Sequence, residues 1–502
     1  MPAQLLEHPA PPGFPASVAR FRRALQCQAR NQKLEAAREY LGALELSPGF
    51  FEAAFNLGAL LQEMGQAHEA IRCYRQALQA KPDLAPAWGN LGVALRNTGC
   101  EQDAVASFRE ALRWNPGEPD ILNNLGNTLV AQDQYPEAIA CFRAALQRAP
   151  GNPGIHLNLG NALRAFGRVQ EAVPSLRHAI RLRPDFAQAH WDLAFALLLQ
   201  GDFLAGFREY EWRWQRPDFP GRVIPAPLWQ GEDLAGRMLL VHTEQGAGDA
   251  IQFVRFVRHL RERGARVTLE CPLSLAALFE SAPGAPQVIV RGDPLPKFDF
   301  HIPLLSLPHR LGLENIPQEP PYLRASVSHR ITLPPPRARP GPGLKVGLVW
   351  RGNPKHTNDR RRSIPLSLLE PLLAVENVAF YSLQVPPAPE FAGEAAHEPA
   401  LIPLDGLLGN FADTAAVVAQ MDILICADTS VAHLAGALGR NTWLLLPFAP
   451  DWRWLLSRDN TPWYPTMRLF RQPAPGDWPA VICGVRDALQ QSVRAFAGQI
   501  TG

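Results

Sequence analysis

Three short stretches of the chain carry residues whose types and spacing could hold an anion and move a proton. The first is Ile423 to Gly436, ILICADTSVAHLAG: an apolar run, a polar turn at Asp428, Thr429 and Ser430, then helical spacing from Val431 to Leu438. An apolar run without alternation predicts a parallel strand covered on both faces. Free amides at the following helix start, with the helix dipole behind them, favour an anion such as a diphosphate, and His433 falls on the first turn, placed to donate to it. The alternative is an Asp or Thr that caps a helix merely packed on a sheet.

The second stretch is HTEQGAGDAIQFVRF, His242 to Phe256. Gly246 and Gly248 open like a dinucleotide fingerprint, but Ile251 stands where the third Gly would be, so the pattern gives little support to NAD. Gln245, Gly246 and Gly248 are expected to form a tight turn close to a substrate. Asp249 then starts the next helix, where a carboxylate made more basic by burial can take a proton from a hydroxyl. Its rival role is an N-cap. The third stretch, Gly347 to Pro365, leaves a strand and carries Arg351, Lys355, His356, Arg360, Arg361 and Arg362. Arg forks match phosphate oxygens, and one or two of these cations are expected to touch a ligand while the rest are solvated.

Stretches of this kind need α/β elements to position them. MLLVHTEQ, RVTLECP, QVIVRGD and DFHIPLL, separated in part by helical segments at Ala250 to Arg263 and Leu273 to Ser281, predict one parallel sheet. KVGLVW, AFYSLQ, ILICAD, TWLLLP and MRLF predict a second. ITLPPPRARPGPG, residues 331–343, reads as a hinge between them, and a cleft between two such halves is where an α/β ligand site lies. DWRW after LLLPF places Trp452, Arg453 and Trp454 in the second half, where packing is the expected job.

The N-terminal part has another rhythm. Asn-Leu-Gly recurs at Asn56, Asn90, Asn124 and Asn158, a spacing of 34, and a fifth copy reads Asp192-Leu193-Ala194. Prolines keep the same clock at Pro48, Pro82, Pro116, Pro150 and Pro184, alanines at Ala36, Ala70, Ala104, Ala138 and Ala172, and large side chains at Tyr40, Tyr74, Phe108, Phe142 and Leu176. This pattern resembles the tetratricopeptide repeat family, in which small residues mark the crossing of two helices and an aromatic or Leu fills the hole. Five units cover about Ser17 to Phe186. A looser sixth runs to about Gln215 with Gly206 and Tyr210 in the small and aromatic slots, and its GFREYEWRW ending suits a cap that docks onto the next domain.

Stacked units form a solenoid with a concave groove suited to an extended peptide. The resemblance places Asn56, Asn90, Asn124 and Asn158 on that concave side as a ladder of amides able to donate to and accept from a peptide backbone. A similar ladder is used by the repeat region of eukaryotic O-linked N-acetylglucosamine transferases. The alternative is that these amides cap or bridge neighbouring repeats.

In the second half, Asp-Thr-Ser followed by Val-Ala-His-Leu-Ala-Gly resembles the donor-binding motif of glycosyltransferase family nine, the ADP-heptose lipopolysaccharide heptosyltransferases. The family reads Asp-Thr-Gly, two residues, then His; Ser430 stands at the Gly here. The Gly248-Asp249 pair matches the family's acceptor-side Gly-Asp, whose Asp is taken as the catalytic base. The resemblance covers about Arg237 to Gln472. It implies a GT-B fold and an inverting transfer that needs no metal, with Arg362, before Ser363-Ile364-Pro365, as counterpart of a donor-binding Lys.

The resulting expectation is a multidomain chain, an all-α repeat solenoid followed by a GT-B-like pair of α/β domains. The pieces are a tail at 1–16, repeats at 17–215, a Pro-rich linker at 216–236, an acceptor half at 237–330, the hinge at 331–343 and a nucleotide-sugar half at 344–502. The expected activity moves a sugar from a nucleotide diphosphate sugar, the co-substrate, to an acceptor hydroxyl, on a protein or peptide partner held by the repeats. Alternatives are a surface-polysaccharide transferase that uses its repeats for assembly, and a scaffold without catalysis. Sequence resolves neither the sugar nor the base of the donor.

Composition bounds these readings. In 502 residues, 47% hydrophobic and 19% charged, two or three globular domains fit. A net charge of +2 without a long basic stripe argues against nucleic acid as partner. Seven dispersed cysteines, with no CxxC, suit a reducing compartment and give no zinc pattern, so no metal is expected. No apolar stretch reaches the length that spans a bilayer. MPAQLLEHPAPPGFPAS lacks the charged start and apolar centre of a signal peptide, so a cytoplasmic location is expected.

Overall fold

The computed structural model describes residues 15–219, 221–317, 321–326, 329–335, 343–356, 358–384, 398–404 and 406–501. Most of the expected tail and the hinge centre at 336–342 lie outside them. The chain divides into two compact units, Met1–Ala189 and His190–Gly502.

The first unit is a run of antiparallel helix pairs, from Ala16–Ala29 with Lys33–Leu46 to Pro153–Ala165 with Val169–Leu182. The Asn-Leu-Gly glycine explains the packing of each pair. A Cβ on Gly58 would lie 2.7 Å from the Tyr74 ring, on Gly92 2.7 Å from Phe108, on Gly126 2.6 Å from Phe142 and on Gly160 2.6 Å from Leu176. Each large side chain is fully buried over the glycine of its partner helix, and Ala36, Ala70, Ala104, Ala138 and Ala172 are buried with them. A further clock shows in the backbone. Asn31, Gly65, Gly99, Asp133 and Gly167, again 34 apart, take a left-handed φ of 58° to 80° in the turn within each pair. Gly, Asn and Asp tolerate that region, so these turn residues end the first helix of each pair.

The second unit opens with the helices Ala187–Gln200, whose first three residues belong to the preceding unit, and Phe203–Tyr210. Two parallel sheets come next. The first contains β1 (Met238–His242), β2 (Arg266–Cys271), β3 (Gln287–Val290) and β4 (Phe300–Pro303) in the order β3-β2-β1-β4. The second contains β5 (Leu344–Val349), β6 (Val378–Ser382), β7 (Leu401–Pro403), β8 (Ile423–Ala427), β9 (Thr442–Leu446) and β10 (Met467–Arg471) in the order β10-β9-β8-β5-β6-β7. Nine of these strands are legible as apolar runs; β7 is three residues long and gives too little periodicity to see.

The expected linker at 216–236 is tied to the first sheet around Trp229. Trp229 is buried and its N–H donates to the His301 carbonyl on β4 at 2.9 Å, while the His301 N–H donates to Pro227 at 3.1 Å. The described flank of the expected hinge is likewise tied in, through Tyr381 Oη to the Pro334 carbonyl at 3.2 Å and Gln420 Nε2 to that of Ile331 at 2.9 Å.

Candidate functional site

All five residues of β8 are buried, which is why the strand runs without alternation. It ends at Ala427, and after Asp428 the helix Ser430–Ala437 begins with Thr429 in the N-cap position. Thr429 makes no capping bond, and its Oγ1 is buried with no partner. The capping alternative for this corner is therefore not what Thr429 does. Thr429, Ser430, Val431 and His433, the residues of this helix start, line a cavity of about 870 Å³. A volume in this range holds a cofactor-sized ligand.

His433 lies deeper. Its Nδ1 is 2.9 Å from the Tyr464 hydroxyl, and its ring stacks on Trp454 with centroids 5.3 Å apart. Tyr464 comes this close because a Cβ on Gly436 would lie 2.4 Å from its ring. Burial, and then the cations Arg453, Arg255 and Arg362, hold the imidazole well below its ordinary range. His433 can offer a hydrogen bond to an anion but no charge.

Arg362 sits on the rim of the corner. It ends the short helix Asp359–Arg362, donates from Nη1 to the Asp428 carbonyl at 3.0 Å and is braced from Nε by Asp359 at 3.3 Å. Gly352 makes room, since a Cβ there would lie 2.6 Å from Nη2. Arg351, Lys355 and His356 also line the cavity; Arg360 and Arg361 are not among its lining residues.

Gly246, Gly248 and Asp249 reach the same cavity from the first sheet. The expected tight turn is not the reason for the second glycine. Gly248 lies within the helix Ala247–Phe253, and a Cβ on it would come 3.0 Å from His433 Cδ2 and 3.4 Å from Ser430 Cα. Glycine at 248 lets two helix starts, one from each sheet, approach one another. Gln245 does not line the cavity; its side-chain amide pairs with the Tyr210 hydroxyl at 2.9 Å and 3.1 Å.

Asp249 does not stand at the N-cap, which is Gly246, but at the third position of the helix. Its Oδ2 accepts the Gly246 N–H at 3.0 Å, satisfying the helix start, while Oδ1 accepts a short hydrogen bond from Arg453 Nη2. Burial raises its pKa; Arg453 opposes the rise and Asp451 adds to it. Asp428 is pushed up to about 6, by burial first and then by Asp451, against the pull of the Trp454 side chain, Arg362 and Arg453.

Arg453, expected chiefly to pack, joins the two α/β halves. It is buried, donates from Nε to Gln252 Oε1 at 2.5 Å and from Nη1 to Asp451 at 2.8 Å, and holds Asp249. The tryptophans beside it do pack, both being buried. The available signal was a charged pair, Asp451 and Arg453, inside an otherwise aromatic buried run. Asn410 was also missed. It lines the cavity at the start of the helix Phe411–Val418, and its Oδ1 accepts from Ala412 N at 2.7 Å and Asp413 N at 3.1 Å, so this second helix start is closed by its own cap.

The predicted amide ladder is half-buried in the first unit. Arg96 Nη1 donates to Asn124 Oδ1 at 3.3 Å, Asn158 Nδ2 donates to Asn123 Oδ1 at 2.8 Å, and Asn90 bonds the Tyr74 hydroxyl. Bridging between repeats is thus a present role of Asn124 and Asn158; Asn56 lies at the equivalent position of the preceding unit. Among the described residues, no three His, Cys, Asp or Glu side chains are grouped to hold a metal ion, and no helix is long and apolar enough to cross a membrane.

Residues 55–119, 102–153, 123–183 and 157–217 match the tetratricopeptide repeat family, so the N-terminal region carries tetratricopeptide repeats, and an α/β region comes after them. The chain is 29% identical over 323 residues to protein FlbA of Caulobacter vibrioides, an alignment covering 59% of this chain and 53% of that one. The chain thus matches about half the length of that relative. Among solved structures, MamA is 20% identical with a TM-score of 0.33, over 34% of this chain and 94% of its own. YrrB, described as a tetratricopeptide protein with an unusual peptide-binding site, is 22% identical with a TM-score of 0.33, over 34% and 89%.

Proposed function

We propose that residues 237–502 form a GT-B-type glycosyltransferase that takes a nucleotide diphosphate sugar and transfers the sugar to an acceptor hydroxyl without a metal. The observation that carries this reading is the contrast between two helix starts on one cavity. Asn410 closes one, while Thr429 leaves the other open, with an unpartnered hydroxyl, Arg362 beside it and Asp249 contributed by the opposite sheet. Open amides and an Arg fork suit a diphosphate. The cavity is also lined by the loops that come after β1, β5, β8 and β9, where α/β folds bind ligands.

In this mechanism the diphosphate rests on the amides of the Ser430 helix, the Thr429 hydroxyl and Arg362. The acceptor hydroxyl attacks the anomeric carbon as its proton passes to Asp249. The bond from that carbon to the diphosphate oxygen breaks, and the electron pair leaves on the nucleoside diphosphate, where fixed donors stabilise the charge. Arg453 orients Asp249 but lowers its basicity, so burial has to offset the cation. The tetratricopeptide module would hold a protein or peptide acceptor, with the amide ladder using the hydrogen-bonding capacity left after bridging. The same Arg453–Asp249 pair favours the second reading, a scaffold that binds nucleotide without catalysis, because a paired carboxylate is a weaker base.

Screening ADP-, UDP- and GDP-linked sugars for a raised melting point, then for hydrolysis and transfer, tests the proposal. Thr429→Val should weaken nucleotide diphosphate binding, and Asp249→Asn should lower turnover by orders of magnitude with binding retained. Binding without turnover in the wild type would favour the scaffold; no binding by any of them would remove the anion site.

A further inference from the structure

The last helical hairpin makes contacts that a cap alone does not need. Arg213, just after the helix Phe203–Tyr210, is fully buried. From Nη2 it donates to Glu244 Oε1 at 2.9 Å and Ser306 Oγ at 2.7 Å, and from Nη1 to Glu211 Oε1 at 2.6 Å. Ser306 Oγ donates in turn to Glu211 Oε2 at 3.0 Å. Tyr210 holds the next residue, Gln245, through its hydroxyl. Glu244 and Gln245 are the two residues immediately before Gly246, whose N–H is bonded to Asp249. Two consecutive side chains of the loop after β1 are therefore gripped by the hairpin.

The hairpin also meets the far end of the Asp249 helix and the turn that carries Arg453. Phe207 packs edge-on to Phe253, the last residue of that helix, with centroids 6.0 Å apart, and edge-on to Trp452 at 5.8 Å. Phe203 packs edge-on to Trp463 at 6.0 Å. The loop before Asp249, the end of its helix and the turn bearing its ion-pair partner are thus each in contact with one eight-residue helix or the turn just after it.

We propose that Tyr210 and Arg213 are positioning residues for Asp249, so that the sixth repeat hairpin is a working part of the proposed site and not only the end of the solenoid. The geometric part stands without the transferase reading; its consequence for turnover rests on that reading. Removing the Arg213 charge leaves the buried Glu244 carboxylate, whose Oε2 already lacks a partner, without its cation, and the loop must open to hydrate it. Removing the Tyr210 hydroxyl frees the Gln245 amide and leaves the packed ring in place.

The test uses the full chain with Tyr210→Phe, Arg213→Lys and Arg213→Gln, each measured by amide hydrogen exchange, which needs no ligand. Tyr210→Phe should keep its melting point within about 3 °C. Its exchange should nevertheless rise about tenfold across residues 244–249, with residues 423–437 unchanged. Arg213→Gln should widen the effect, and Arg213→Lys should restore part of it. With a nucleotide sugar that the wild type hydrolyses, Tyr210→Phe should lower kcat several-fold and leave the donor KM alone. Unchanged exchange at 244–249 in Tyr210→Phe overturns the proposal, including where Arg213→Gln fails to fold. Altered exchange with unchanged kcat also overturns the link to the site. Absence of any turnover in the wild type counts against the transferase reading, and the exchange result alone then decides the positioning.

Discussion

The repeat unit and the α/β unit are held by polar contacts of very different reach. In the repeats, Arg96 meets Asn124, Arg109 meets Glu137 and Arg143 meets Glu171, each 28 residues apart. In the α/β unit, Arg453 meets Asp249 across 204 residues, and Arg255 donates to the Trp463 carbonyl across 208. The repeats place small residues by a local period, so the same contact is made several times and no single copy is indispensable. The site is made once, where two sheets meet, and its Asp249, Arg453 and Arg362 each take a partner from a distant part of the chain.

Substitutions can break or sharpen this contrast. The largest effect is expected at the site, where Asp249→Asn should lower turnover by about 10² to 10⁴-fold, the range of a positioned general base. Retained turnover would mean that another group takes the proton. Next comes Arg453→Met, which leaves Asp249 and Asp451 without their shared cation. Breaking a buried pair on one side costs about 3–5 kcal/mol, read as a lower denaturation midpoint for the second unit. A loss below about 1 kcal/mol would show that water replaces the guanidinium.

In the repeats the expected losses are smaller. Gly126→Ala drives a Cβ to 2.6 Å from the buried Phe142 ring and should cost about 1–3 kcal/mol. Gly151→Ala, with nothing within 4 Å of the added atom, is the control and should stay within about 0.5 kcal/mol. Equal effects at the two glycines would refute the packing account. Asn158→Ala removes one bond to Asn123 and should cost about 0.5–1.5 kcal/mol. A double Asn90→Ala, Asn124→Ala variant should also weaken a peptide partner, and unchanged affinity would confine the ladder to bridging.

Acid dependence belongs to the site as well. Asp428 has a folded pKa of about 6 against an ordinary 3.8. Below both values the carboxyl is protonated in either state. As pH rises between them the unfolded chain releases the proton first, so the fold loses stability across that window and the loss levels off above about 6. Asp428→Asn should therefore melt higher than the wild type at neutral pH, with the gap closing in acid. Bound nucleotide diphosphate should bind more tightly as pH falls through the same window, because a neutral Asp428 does not repel it. A melting difference that is flat with pH would remove this residue from the account.

The sequence by itself determined whatever a local pattern can encode. The 34-residue clock gave the helix pairs and the aromatic-over-glycine packing, because each contact lies within one hairpin or between neighbours. Unalternated apolar runs gave nine parallel strands, and the Asp-Thr-Ser turn gave the open helix start, because the turn and the amides are adjacent in the chain. Tertiary structure decided the rest. Only there is Gly248 seen to be required by His433 and Ser430, Arg453 to be the partner of Asp249, and Gln245 to belong to Tyr210 and not to the cavity. These pairings join residues that share no period and lie 35 to 204 positions apart, so they arise only when the sheets and the last hairpin pack.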